Sequence, residues 1–170
     1  LEDEEGNKID PLLTLLGNHD EIVEIKLPYF DDNGRGVLER EIPVKKVTVD
    51  GKELVVTTVL DLMFANYGVK RKGLEKGYAN SYEDDVPYTP KWQEKFTGVK
   101  AEQVIRIARE FAQNAADTNG RSMIIMGAGI NHWYHADIIY RTILNLVMLT
   151  GSEGRNGGGW AHYVGQEKVR

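Results

Sequence analysis

The chain has 170 residues, of which 41% are hydrophobic and 28% are charged, and its formal net charge is −5. This composition predicts a soluble globular protein with a core of its own, and the acidic balance argues against a nucleic-acid-binding surface, which requires basic residues. The absence of cysteine excludes disulfides, thiolate metal ligands and cysteine nucleophiles, and no apolar run approaches the about 20 residues that cross a bilayer.

The first third of the sequence is acidic and then β-like. Residues 1–20 are loosely patterned and predict a poorly ordered lead-in. Residues 21–58 predict a β-hairpin region, in which DDNGRG (31–36) is a turn cluster and Asp50-Gly51 is the turn between two valine-rich strands. The first residue is Leu1 and the last residues give no stop signal, so we expect an internal piece of a larger polypeptide.

From residue 59 onward the pattern becomes helical, and residues 59–170 predict one α/β segment. Thr58 and Gly68 predict the start and end of a first helix, and Thr89 caps a second one in TPKWQEKF. The amphipathic stretch KAEQVIRIAREFAQNAA predicts a third helix, with an apolar stripe formed by Val104, Ile107, Ala108, Phe111 and Ala115.

The last third predicts a strand followed by a helix. SMIIMGAG (122–129) is a short apolar run, typical of a buried parallel strand. Residues 134–150 predict a helix that is apolar on most sides and therefore buried on more than one face. The order helix, strand, helix favours an α/β fold with part of a doubly wound, Rossmann-like layer, preceded by the β-hairpin-rich segment.

A first candidate site follows the predicted strand. Ligands of open α/β sheets bind beyond the carboxyl ends of the strands, where Gly127 and Gly129 would let a ligand approach the backbone. The next polar and aromatic residues, NHWYH (131–135), suit stacking on a planar heterocycle and hydrogen bonding to its edge. A tight turn and an interface or core cluster are the alternative explanations. His132 and His135 lack further ligands nearby, so we predict no metal site.

A second candidate site lies in GRNGGGWAHYVGQEK (154–168). Glycines without a Cβ atom present backbone N–H groups to a phosphate or a polar ring, and the aromatic and polar residues behind them supply stacking and directional hydrogen bonds. No Gly-Lys-Ser/Thr follows, so this is not a P-loop. A flexible linker is the alternative, although linkers carry glycine and serine rather than Trp-x-His-Tyr.

These motifs also carry a resemblance. From GAGINHWYH through GGGWAHYVGQEK, the sequence resembles the catalytic α subunits of membrane-bound respiratory nitrate reductases, a branch of the dimethyl sulfoxide reductase (molybdopterin oxidoreductase) family. The resemblance extends upstream through YTPKWQEKFTGV and VTTVLDLMFANYG, and covers roughly residues 43–170.

The resemblance implies an enzyme that reduces nitrate to nitrite by oxygen-atom transfer at molybdenum, for nitrate respiration and electron transport. The metal would be held by two molybdopterin guanine dinucleotides. A 4Fe-4S cluster, an iron–sulfur β subunit and a membrane γ subunit would deliver electrons, with the α and β subunits at the cytoplasmic face of the membrane.

The resemblance further implies that twelve residues line the cofactor site: Gly127, Gly129, Asn131, His132, His135, Gly157, Gly158, Gly159, Trp160, His162, Gly165 and Gln166. Arg155 and Lys168 would lie near the cofactor pyrophosphates. No catalytic residue or metal ligand carries over, because the family's cluster cysteines are absent here and its molybdenum-binding aspartate lies upstream of the matching region.

We therefore expect this chain by itself to be inactive and to bind the cofactor weakly. Two other hypotheses remain open at this point. One is a structural or subunit-interaction segment without direct cofactor contact, and the other is a free-standing nucleotide-binding α/β module.

Overall fold

The fold consists of two compact units. A computed structural model describes residues 4–8, 11–29 and 36–162. Unit 1 is Leu1–Ala101 and unit 2 is Glu102–Arg170. This division falls after Ala101 rather than near residue 58, where the sequence pattern changes from β to helical spacing. The first two helices therefore belong to the same unit as the hairpin region.

Unit 1 contains an antiparallel sheet of three strands in the order β1-β2-β3. The strands are β1 (Glu21–Tyr29), β2 (Gly36–Val49) and β3 (Lys52–Val56). Asp50 (φ 51°) and Gly51 (φ 75°) connect the last two, with the two positive φ angles that a two-residue hairpin turn of this kind requires. The predicted hairpin is confirmed. Of the predicted turn at 31–36, residues 31–35 lie outside the described residues, and Gly36 begins β2.

Two helices follow the sheet, α1 (Val59–Tyr67) and α2 (Pro90–Thr97). Thr58 Oγ1 accepts a hydrogen bond from the Asp61 N–H at 3.1 Å, and Thr89 Oγ1 accepts one from the Trp92 N–H at 3.1 Å. Gly68 ends α1 in the left-handed conformation at φ 74°. Both predicted helix starts and the predicted end of α1 are confirmed, because capping depends on residues close together in sequence.

The residues that α1 buries completely are small or charged rather than large and apolar. Asp61 and Ala65 are fully buried, and Ala65 packs with Ile42 and Val44 of β2. The Asp61 carboxylate accepts hydrogen bonds from the Leu15 N–H at 2.8 Å and from Arg71 Nη1 at 2.6 Å. Asp61 therefore has two roles. Its backbone N–H bonds to the Thr58 cap, and its carboxylate binds the Arg71 cation and the backbone of residue 15 in the lead-in segment.

Arg40 is a second buried charge in unit 1, with no exposed surface. Its guanidinium donates to four backbone carbonyls, those of Ala65 (2.5 Å), Asn66 (2.9 Å), Gly77 (3.1 Å) and Pro87 (3.2 Å). Two of these carbonyls belong to the last turn of α1, where the helix dipole favours a cation. Burial lowers the pKa of Arg40. The side chain therefore joins β2, α1 and the loop after α1.

Unit 2 pairs two parallel strands joined by a helical crossover. After α3 (Ala101–Asp117) come β4 (Met123–Met126), α4 (Ala128–Asn131), α5 (Ala136–Leu149) and β5 (Gly159–His162). β4 and β5 pair in parallel from Met123↔Gly159 to Met126↔His162. The structure is therefore of mixed α and β class, as predicted, but two strands do not by themselves establish a doubly wound layer.

Two burial predictions for unit 2 are wrong. The predicted strand at 122–129 is parallel but only partly buried, since Ile125 is 81% exposed. In α5, Val147 is fully buried, whereas Met148 (68% exposed) and Leu149 (52% exposed) face outward. Both elements are apolar enough for burial on two faces, but the described residues cover only one face of each. No described helix combines the length and the hydropathy needed to span a membrane.

Candidate functional site

The parallel register brings the two predicted site stretches to one pair of strands. Met126 lies opposite His162, and neighbouring strands are about 4.8 Å apart. Gly127 follows Met126 directly, so the stretch that begins at Gly127 and the end of β5 meet at the carboxyl edge of this sheet. Sequence analysis missed β5, because a glycine-rich stretch with a four-residue strand lacks a clear alternating pattern.

The polar and aromatic residues after β4 are all exposed. Trp133 is 70% exposed and Tyr134 is 93% exposed. The side chains of Asn131 and His132 form no hydrogen bond or ion pair with any described residue, and the His135 ring contacts the Tyr134 ring edge-on, with 4.7 Å between centroids. The described chain therefore leaves their hydrogen-bonding groups available to another molecule or to another part of a larger protein.

Nothing in the described part of the chain requires glycine at positions 127 and 129. Gly127 adopts φ −113° and ψ −177°, which any residue can adopt, and neither glycine has a positive φ. A Cβ atom placed on either residue would meet no atom of the described residues within 4 Å. The space beside these two backbone positions is open.

Gly157, Gly158 and Gly159 are different, because they lie at the amino end of β5. Gly157 and Gly159 have positive φ angles of 86° and 88°. A Cβ atom on Gly158 would lie 2.0 Å from the Gly120 carbonyl oxygen and 2.8 Å from the Ser152 carbonyl oxygen. Backbone conformation and close backbone packing therefore account for these glycines. The carboxyl end of β5 at His162 is three residues beyond Gly159, about 10 Å away at the usual rise per residue.

Trp160 and His162 form an aromatic cluster with Tyr140 of α5. The Trp160 and Tyr140 rings are stacked, with centroids 5.2 Å apart and an angle of 25° between the rings. Tyr140 Oη and His162 Nε2 are 3.1 Å apart, within hydrogen-bond distance. Trp160 Nε1 is buried and has no acceptor among the described residues. The sequence did not single out Tyr140, whose one distinguishing property is that it is the only aromatic residue of α5.

The remaining predicted residues are distributed differently. Arg155 lines a polar cavity of about 290 Å³ near the amino end of β5, together with Arg121, Thr118, Asn119, Gly154 and Asn156. Gly165, Gln166 and Lys168 lie outside the described residues.

The described ranges contain no group of three or more side chains arranged to hold a metal ion. A cavity of about 730 Å³ lies in unit 1 between Tyr67 and Pro90, far along the chain from every predicted site residue.

Comparison with known proteins gives this mixed α and β chain a family. The sequence profile of the molybdopterin oxidoreductase family matches residues 8–167. The chain is 58% identical to the nitrate reductase alpha chain of Bacillus subtilis (strain 168) over 170 residues, which is 100% of this chain and 14% of that protein. It is 50% identical to the respiratory nitrate reductase 1 alpha chain of Escherichia coli (strain K12), over 97% of this chain and 14% of that protein.

A further relative, named for perchlorate, matches only part of the chain. The perchlorate reductase subunit alpha of Dechloromonas aromatica (strain RCB) is 49% identical over 80 residues, 47% of this chain and 8% of that protein.

The chain therefore belongs to the molybdopterin oxidoreductase family. It is similar along its whole length to nitrate reductase alpha chains, which are oxidoreductases by name, and it spans 14% of the length of the two described first.

Proposed function

We propose that this chain forms part of the wall of a molybdopterin guanine dinucleotide site in the alpha subunit of a respiratory nitrate reductase. The family match supports a molybdopterin cofactor, and the similarity to nitrate reductase alpha chains favours nitrate as the substrate. When bound, the molybdenum centre would supply oxygen-atom transfer. This chain's residues would bind and orient the organic part of the cofactor.

The open backbone at Gly127 and Gly129 is the observation that carries this proposal. Neither conformation nor crowding within the described chain requires glycine there. A flat ligand that lies against the backbone would require glycine at both positions, because a side chain at either one would occupy the space of the ligand. The exposed amides and rings of Asn131, His132 and His135 would then supply hydrogen bonds and stacking around it.

The other predicted cofactor residues divide into three roles. We infer that Trp160 and His162 contribute from β5 and, from the resemblance, that Gly165 and Gln166 also bind the cofactor. Gly157, Gly158 and Gly159 would act mainly by shaping the turn that starts β5, because their geometry has internal causes. Arg155 and Lys168 would act as cations near the pyrophosphates.

We further infer the wider context from the resemblance. β4 and β5 would be neighbours in a doubly wound layer completed by the rest of the subunit. The names alpha chain and alpha subunit imply a complex of several subunits. An iron–sulfur β subunit with a 4Fe-4S cluster near the active site, a membrane γ subunit and a location at the cytoplasmic face of the membrane complete the proposal.

A structural or subunit-interaction role is the second candidate, and β3 favours it. This edge strand is exposed along its whole length, including Leu54 (45%) and Val55 (57%). An exposed edge strand with apolar side chains is a suitable surface for pairing with another segment. This role is compatible with cofactor binding by unit 2 and becomes the main function only if unit 2 makes no cofactor contact.

The two candidates are separated by substitutions in the full-length subunit that contains this chain. His132→Ala and Trp160→Ala are expected to lower bound molybdopterin and nitrate turnover together, because both remove groups that orient the cofactor. His19→Ala, which removes the imidazole of a histidine in unit 1, is the matched control and is expected to retain both. Normal cofactor content and normal turnover in both site variants would contradict the proposal and favour the structural role.

A further inference from the structure

The cluster of Tyr140, Trp160 and His162 joins a helix to the strand that ends at the proposed site. Trp160 and His162 are two residues apart on β5, so their side chains project from the same face of the sheet. Tyr140 reaches both of them from α5, through a stacked ring contact at 5.2 Å and a polar contact at 3.1 Å. One side chain therefore restrains two predicted cofactor residues.

Ring contacts, rather than a hydrogen bond of the indole N–H, restrain Trp160 among the described residues. Its Nε1–H is buried without an acceptor there, so no hydrogen bond fixes the indole within this part of the chain. The nearly parallel Tyr140 ring, at 25°, covers one face of the indole. Removing the Tyr140 ring would therefore take away the stacked partner of the indole and weaken the restraint on its orientation.

The restraint on His162 concerns the orientation of its ring. A tyrosine hydroxyl can donate to an imidazole nitrogen or accept from it, so the contact holds the ring in either neutral tautomer. The Tyr140 hydroxyl occupies Nε2 at 3.1 Å. Because His162 is exposed, its other nitrogen, Nδ1, remains available for a ligand.

We propose that Tyr140 is a positioning residue of the cofactor site. Its ring holds the indole of Trp160, and its hydroxyl holds the imidazole of His162 through Nε2, which leaves Nδ1 for the bound cofactor. Tyr140 itself does not touch the cofactor. This inference depends on the proposed function, since it assigns a role within the same site.

The test uses the full-length subunit in its complex, with two substitutions at Tyr140. Tyr140→Phe keeps the stacked ring and removes the hydroxyl, whereas Tyr140→Ala removes both. We expect Tyr140→Phe to keep the melting temperature of the parent protein but to lose molybdopterin roughly threefold to tenfold faster on dilution, the effect of one hydrogen bond. Tyr140→Ala is expected to lose the cofactor faster still.

Two controls separate positioning from stability. Val147→Ala opens a cavity at a fully buried position of α5 and lowers the melting temperature without touching the cluster, so it is expected to retain the cofactor better than Tyr140→Phe. Tyr29→Phe removes a tyrosine hydroxyl in unit 1 and is expected to change neither property. Cofactor loss that follows only the melting temperature across all four variants would overturn the positioning role.

His162→Ala and Trp160→Ala distinguish this inference from the proposed function. If both retain the cofactor normally, the proposed wall fails and the role of Tyr140 fails with it. If both lose the cofactor while Tyr140→Phe and Tyr140→Ala retain it, the proposed function stands and the positioning role is refuted.

Discussion

Substitution of Gly127 and of Gly158 tests quantitatively whether close packing within the chain requires glycine at each position. Neither residue has a positive φ, so alanine is conformationally acceptable at both. At Gly158 the new Cβ atom would lie 2.0 Å from the Gly120 carbonyl oxygen. The two backbone segments must then move apart by about 1 Å, and overpacking of this kind costs about 3 kcal/mol. At Gly127 the Cβ atom meets nothing within 4 Å.

We therefore expect opposite effects on the free energy of unfolding of this chain. Gly158→Ala should lower it by about 3 kcal/mol, which lowers the melting temperature by more than about 10 °C for a unit of this size. Gly127→Ala should raise it by about 0.5 kcal/mol, because alanine reduces the conformational entropy of the unfolded chain. Urea unfolding followed by circular dichroism and tryptophan fluorescence measures both changes.

The same pair separates packing from ligand binding. In the full-length subunit, Gly127→Ala should lower cofactor content although the protein is no less stable. Two results would contradict this explanation of the two glycines. Gly127→Ala would destabilise the chain by more than about 1 kcal/mol, or Gly158→Ala would leave the free energy of unfolding unchanged. The first result would mean that an internal contact occupies the space beside Gly127, and the second would mean that the backbone approach at Gly158 is not tight.

Three further predictions concern the buried charges of unit 1. Asp61→Ala should lower the free energy of unfolding by about 3 kcal/mol in urea unfolding, because it leaves the Arg71 cation without its carboxylate. Burial alone would raise the pKa of Asp61, but hydrogen bonds led by the Leu15 N–H outweigh it and lower the pKa. The lowered pKa therefore stabilises the folded chain fully above about pH 4, and this stabilisation is lost as the pH falls through the pKa of Asp61 in the folded state. On acid titration, the free energy of unfolding should fall less in Asp61→Ala than in the parent chain. Arg40→Met should lower the free energy of unfolding by about 3 kcal/mol, since it leaves three carbonyl groups without a donor and removes one of the two donors to the Ala65 carbonyl. A loss below about 0.5 kcal/mol would show that water or other donors replace the guanidinium.

The features that the sequence predicted correctly depend on neighbouring residues. Thr58 and Thr89 cap helices through N–H groups three residues away. Asp50 and Gly51 close a hairpin within two residues. These interactions are encoded locally, so a short window of sequence is enough to find them.

The features that the sequence did not reveal join distant parts of the chain. Arg40 satisfies carbonyls between 25 and 47 residues away, and composition alone marks it only as another surface charge. β5 forms because Gly159–His162 meets β4, more than thirty residues earlier. The apolar patterns of β4 and α5 predicted burial on two faces, and the described residues cover one face of each. Such patterns report the surroundings of a segment in the whole protein, which for these relatives is several times longer than this chain.

The irregular stretch before the first strand has a practical consequence for shortening the chain. Thr14 Oγ1 donates to Asp61 Oδ1 at 2.5 Å, the Leu15 backbone supplies a second donor, and the Leu15 side chain is only 5% exposed. A truncated version that starts at β1 would delete both donors and uncover a carboxylate that water does not reach in the intact chain. Expression boundaries for biochemical work should therefore begin ahead of Thr14, even though the composition there suggests a dispensable tail.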